Sequence, residues 1–268
     1  MFLHVSSLSA QILADLQNDY GERRTNEKWL GCPLLVHRRC LEPMFTISNK
    51  IAYEEKMFSK TEYNLTAELL MDKSTWLNIG GKEISKENHY VKEQGDKVLE
   101  ILEKGLNKSE DLPNVYIITP FKSVAKEMSQ KLKAFYKKNT SLQETQITDW
   151  VTTHCGTIHT FQGKEANEVI LLLGCDEESM GAIKWAGEKP NILNVAVTRA
   201  KYHIIIIGEA NLWKNIPYFN VAYNELKEQE KWVKIDFSLF FWYNKEELED
   251  ELWKRKKKQK RKKQTNQM

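Results

Sequence analysis

The stretch GTIHTFQGKEANEV, from Gly156 to Val169, sets Gln162, Gly163, Lys164 and Glu165 in a polar cluster hinged on one glycine. Glycine lets backbone approach a phosphate closely, and Gln162 and Glu165 offer hydrogen bonds to a ligand. By themselves the same four residues also read as a tight turn with a solvated face. Farther on, NVAVTRAKYHIIIIG places Arg199 in a nearly apolar segment. At about 100° per residue, Asn191, Asn194, Thr198 and Lys201 share one polar helical face, and Arg199 lies off it between Val195 and Ile192. A guanidinium in an apolar sector is costly unless it meets an anion. A carboxylate of the same chain, or an escape to solvent at the helix end, would satisfy it. A phosphate would also do so, because the planar fork suits phosphate oxygens. VHRRCLEP adds Arg38 and Arg39 side by side, either as surface charge or, with Arg199, as a two-arginine clamp.

One pattern points the wrong way. VILLLGCDEE resembles an apolar strand ending in the Asp-Glu pair of a magnesium site, but Gly174 and Cys175 intervene before Asp176. No G-x-x-x-x-G-K-[ST] occurs anywhere in the 268 residues. Both Gly-Lys pairs, Gly81-Lys82 and Gly163-Lys164, are followed by glutamate. Arginines and a phosphate- or ribose-facing turn without a phosphate-cradling loop make half of a site. The four cysteines, Cys32, Cys40, Cys155 and Cys175, form no C-x-x-C pair. Their spacing supports neither disulfides nor a metal site, and free thiols in a reducing compartment are expected.

The elements that must position these residues alternate. Val115 to Pro120 reads as a buried strand ended by proline. The next segment, Phe121 to Lys137, has Phe121, Val124, Ala125, Met128, Leu132 and Phe135 at helical spacing. Val169 to Leu173 and His203 to Ile207 are aliphatic runs without alternation, as in strands covered on both faces. Further helices are predicted over about Asn88 to Leu106, Asn191 to Ala200, and Glu42 to Met57 with Pro43 near the first turn. Such alternation implies right-handed crossovers and a parallel sheet with helices on both faces. The Gln-Gly-Lys-Glu turn then falls at the loop edge where parallel sheets bind ligands.

VYIITPF, GTIHTFQGKEANEVILLLG and NVAVTRAKYHIIIIG resemble motifs IV, V and VI of superfamily 1 helicases, in the branch of the nonsense-mediated-decay helicase. LLVHRRCLEPMFTISNKIAY resembles the segment that opens the second RecA-like domain there, and the resemblance runs from about Leu30 to Leu212. It implies a RecA-like α/β fold whose partner domain, carrying the P-loop and the Asp-Glu motif, would precede residue 1. It implies that Arg199 is the motif VI arginine finger on the γ-phosphate of ATP and that Arg39 is a second phosphate contact. Arg38 stands where many relatives stack adenine on tyrosine. Gly163 and Glu165 match the motif V residues near the γ-phosphate and ribose, and Gln162 beside them is a further candidate ligand contact. Thr119, Thr157 and His159 fall where the family touches the nucleic-acid backbone.

Hydrophobic residues are 41% of the chain and aromatics 10%, enough for a core. The longest aliphatic runs fall far short of the ~20 residues that span a bilayer. The N-terminus lacks a signal peptide's basic start, so a cytoplasmic protein with no membrane partner is expected. The net charge of +3 hides an asymmetry. Nine of the ten residues from Lys254 to Lys263 are Lys or Arg, and without them 31 basic residues face 37 acidic ones, a net of about −6. The expected organisation is a lead-in over 1–30, a RecA-like domain over 31–215, a helical and aromatic extension over 216–252, and a disordered basic tail over 253–268. The expected function is the C-terminal motor domain of an ATP-dependent helicase. It would act on single-stranded DNA or RNA, with ATP and Mg bound jointly with a P-loop domain in cis or in trans. Two other readings stand beside it. One is a non-hydrolysing module that binds nucleic acid or a partner; the other is a regulatory fragment that docks on a complete helicase.

Overall fold

Ile204 to Ile207 and Val169 to Leu173 are sealed from solvent at every consecutive position. Successive strand residues point to opposite faces, so the sheet they belong to is covered on both sides. The computed structural model describes residues 22–23, 29–30, 35–62, 69–106, 112–161 and 163–227. Strands β1 (Glu22–Arg23) and β2 (Trp29–Leu30) pair antiparallel. Strands β3 (Val36–His37) and β4 (Phe58–Ser59) pair in parallel around helix α1 (Met44–Ala52). The main run is β5 (Thr75–Asn78), α2 (Lys92–Leu106), β6 (Val115–Thr119), α3 (Lys122–Asn139), α4 (Glu144–His154), β7 (Cys155–Thr157), β8 (Ala166–Leu172), α5 (Met180–Ala186), α6 (Asn191–Val197), β9 (Ala200–Gly208) and α7 (Ala210–Trp213).

Strands β5 to β9 form one five-stranded sheet in the order β5-β9-β8-β6-β7, with every pairing parallel. Helix α1 packs on α6, and both touch β9. Helix α2 packs on α3 and β8, while α3 packs on α4, β6 and β7. The fold is thus RecA-like α/β, a parallel sheet between helical layers. Glu168 is an acid in the middle of it, only 2% exposed. It is satisfied by the backbone N–H groups of Leu70 and Met71 and by Nδ1 of His203, its cross-strand partner, at 3.3 Å.

Several predicted bounds shift. The helix expected to reach Ala200 ends at Val197, because Ala200 pairs with Ala166 and starts β9. Thr198 turns its hydroxyl back onto the Asn194 carbonyl at 2.7 Å. The first long helix stops at Ala52, not Met57, where Glu54 and Glu55 take left-handed φ of 53° and 60°. The helix expected from Asn88 begins at Lys92, after His89 at φ 63°. Residues 219–227 are helical, beginning the expected extension. The rest of that extension, the basic tail and nearly all of the lead-in segment lie outside the described residues. No helix among the described residues is long and apolar enough to cross a membrane.

Candidate functional site

Arg199 occupies a two-residue turn between α6 and β9 and is 7% exposed. Among the described residues its hydrogen-bond partners are carbonyls, with no carboxylate. Nη1 donates to the Lys164 carbonyl at 2.8 Å, and Nε donates to the Val195 carbonyl at 3.3 Å. The guanidinium therefore ties the glycine turn to the end of α6. No hydrogen bond from Nη2 to the described residues accompanies these two. Burial and the neighbouring Arg39 lower the Arg199 pKa, and Glu165 opposes them. Gly163 in that turn has φ +82°, with open space where a Cβ would stand. The glycine is there for backbone conformation. Gln162 lies outside the described residues.

Glu165 and Lys201 flank the first residues of β8 and β9, which pair as Ala166 with Ala200, and their side chains form a 2.6 Å ion pair. A cleft of about 440 Å³ opens over them, lined by Arg38, Arg39, Leu41, Lys60, Thr61, Glu62, Glu165, Lys201 and Tyr202. Four cations thus face two acids, one of which is already paired. The loop carrying the two arginines is held from within. His37 Nε2 receives the Cys40 backbone N–H at 2.9 Å and meets its Sγ at 3.0 Å, and Leu41 N–H bonds the Lys201 carbonyl at 3.0 Å. Burial and Arg39 lower the His37 pKa, while burial pushes the Cys40 thiol up to about 12. Neither Arg38 nor Arg39 has an ion-pair partner among the described residues, and both are exposed.

The structure brings Arg39, Glu165 and Arg199 together, but not where the sheet rule placed them. Glu165 and Arg199 sit at the amino-terminal ends of β8 and β9, the edge opposite the strands' carboxyl ends. After β7 the chain makes a 3-10 turn at Ile158–Phe161 and returns to the other edge before β8 begins. Thr119 and Thr157, paired in register, mark the carboxyl edge. Thr119 is 1% exposed and its hydroxyl accepts the Phe121 N–H at 3.3 Å. Thr157 is half-buried and His159 is exposed. The two predicted groups thus occupy opposite edges.

Sequence reasoning missed Lys60, Glu62 and Tyr202 as cleft residues, and it put Lys201 on a helix. Nothing marks Lys60, which arrives through the β3–β4 pairing. Asp176 is remote from the cleft. Its buried carboxylate accepts the N–H groups of Glu83 at 3.1 Å and Glu178 at 2.9 Å.

Residues 22–211 match the model of the AAA domain family designated AAA_12. A putative regulator of nonsense transcripts 1 from Takifugu rubripes is 31% identical over 118 residues, which is 44% of this chain and 10% of that protein. An uncharacterized ATP-dependent helicase from Methanocaldococcus jannaschii is 28% identical over 224 residues, which is 79% of this chain and 28% of that protein. The chain therefore spans well under a third of either relative's length. The crystal structure of the C-terminal domain of a possible DNA helicase from Lactobacillus plantarum superposes with a TM-score of 0.38 at 13% identity, covering 67% of this chain and 93% of that one. The chain belongs to this AAA domain family.

Proposed function

We propose that this domain supplies the arginine side of a composite ATP site in a superfamily 1 helicase motor. The observation that carries the reading is the convergence of Arg39, Arg38 and Lys201 in one cleft, with the buried Arg199 close enough for the Arg39 charge to act on it. Backbone carbonyls fix Arg199 in advance. A triphosphate entering the cleft meets Arg39, with the Arg199 guanidinium near enough to feel the Arg39 charge. Lys201 shifts from Glu165 toward a phosphate oxygen, since an exposed pair is worth only ~0–1 kcal/mol. Charge building on the transferring phosphoryl group is then stabilised by guanidinium groups that need little rearrangement, an effect on the order of 10³–10⁵ in rate.

Magnesium does not fit this cleft. Its acids are Glu62 and Glu165, and the second is engaged by Lys201. Four cations crowd them, so the metal and the phosphate cradle come from a P-loop half. Single-stranded DNA or RNA runs across the opposite edge, past Thr157 and His159. Thr119 contributes there through its backbone, because its hydroxyl is buried. A non-hydrolysing module is the second reading, favoured by the lack of any P-loop in the 268 residues.

The test joins this chain to a P-loop half and measures nucleic-acid-stimulated phosphate release. Arg39→Ala is expected to lower turnover at least ~10²-fold, as one charge-stabilising contact is removed. Equal turnover of the variant and the unmutated motor would remove Arg39 from the site. No turnover in any pairing would favour the module.

A further inference from the structure

The edge of the sheet away from the arginine cleft holds a second polar cluster that the proposed function does not use. We propose that Glu83, His89 and Cys175 form a binding site for a zinc ion. One oxygen, one ring nitrogen and one sulfur from these residues all lie within 4.8 Å of one another. Glu83 stands in the loop after β5, His89 just before α2, and Cys175 after β8. A metal there would pin two loops across the carboxyl edge.

Glu83 Oε1 is 3.2 Å from His89 Nδ1, and Ser179 Oγ lies 3.1 Å from the same nitrogen. Donors of a tetrahedral zinc sit roughly 3.3–3.7 Å apart, so the thiol needs to draw in by no more than about 1 Å. The backbone aims these groups. His89 and Cys175 both adopt left-handed φ, 63° and 65°, and the Cys175 N–H bonds the His89 carbonyl at 2.8 Å. Gly174 allows this approach, since a Cβ there would stand 2.2 Å from the His89 oxygen.

Hydrogen bonding alone accounts for Glu83, whose other oxygen accepts the His89 N–H at 2.8 Å. It does not account for Cys175. The sulfurs of Cys40 and Cys155 each meet a polar partner, while the Cys175 sulfur has none among the described residues. It is 1% exposed, and burial, with Glu83 and Asp176 beside it, pushes its thiol well up. Sulfur, nitrogen and one carboxylate select zinc over magnesium or calcium. The Glu83 and His89 side chains are 5% and 20% exposed, so entry is from the His89 side.

The assay is cobalt(II) titration of the metal-free full chain. A thiolate-to-cobalt charge-transfer band should saturate at one equivalent per chain and be bleached by zinc. Cys175→Ala should abolish the band, Cys40→Ala and Cys32→Ala should retain it, and His89→Gln should weaken binding at least tenfold. Zinc, but not magnesium, should also raise the melting temperature of the unmutated chain, a readout independent of the variants' folding. No band and no zinc-dependent rise in the unmutated chain would overturn the site, and so would a band that survives in Cys175→Ala.

Discussion

Arg199→Ala separates what the guanidinium does for the fold from what it does for phosphate. The substitution removes two hydrogen bonds from a charged donor, one of 2.8 Å to Lys164 and a longer one of 3.3 Å to Val195. Losing a charged donor costs about 1.5–3 kcal/mol when its partner is left buried and unpaired. Here neither carbonyl is orphaned. Val195 O keeps the Thr198 hydroxyl at 3.3 Å, and Lys164 is exposed and regains water. The burial of the charge and its repulsion from Arg39, both of which lower the Arg199 pKa, also disappear. The expected net loss is therefore about 1–2 kcal/mol, which lowers the melting temperature of a domain this size by about 2–8 °C. In a motor joined to a P-loop half, the same variant should lose on the order of 10³-fold in turnover. Arg199→Lys keeps the charge but not the fork, and should recover stability more than turnover. The assay pairs thermal unfolding followed by circular dichroism with phosphate release. A melting loss beyond about 15 °C would make Arg199 chiefly a structural tie. Turnover within threefold of the unmutated motor would remove it from the phosphate.

Two glycines should respond unequally to alanine. Gly163→Ala meets open space at φ +82° and should cost only the conformational ~1–2 kcal/mol, whereas Gly174→Ala adds a collision with the His89 carbonyl and should cost about 2–5 kcal/mol; equal losses in denaturant melts would contradict the packing. Glu168→Ala leaves two backbone N–H groups and His203 without their acceptor and should destabilise by about 1–3 kcal/mol, whereas a change below 0.5 kcal/mol, roughly the level of a surface substitution, would mean water replaces the carboxylate. Burial lowers the pKa of both His37 and His154 from 6.5, so the fold prefers their neutral forms. Their contribution is complete above pH 6.5 and is lost as pH falls from there through the folded values. Melting temperature should accordingly drop between about pH 7.5 and about pH 5.5, and a rise over that interval would reverse the sign.

The legible part of the fold was the part with redundant signal. Strands β6, β8 and β9 announce themselves as aliphatic runs, and α3 by six apolar residues at helical spacing. The short elements carry no such signal. Strand β5 is four residues, Thr-Trp-Leu-Asn, and β7 is Cys-Gly-Thr; their pairing partners make them strands. Helix α4 is rich in β-branched threonine and valine, which are poor helix formers, and its packing on α3 decides it. Arg199 was found by its cost in an apolar segment, but its shorter bond, to the Lys164 carbonyl, depends on a turn thirty-odd residues earlier that no local pattern could place beside it. The edge was misjudged because a short 3-10 segment carries the chain past the end of β7 and back before β8 starts. The Glu83, His89 and Cys175 cluster joins residues on separate loops, so metal-ligand spacing could not point to it.

Phosphate release from this chain, alone and joined to a P-loop half, tests the central claim most directly. The account predicts none from the chain alone, with or without single-stranded DNA or RNA. It predicts nucleic-acid-stimulated turnover from the joined motor that collapses in both Arg199→Ala and Arg39→Ala. Turnover by the chain alone that vanishes in Arg199→Ala would contradict it, because a complete site would then lie within these residues.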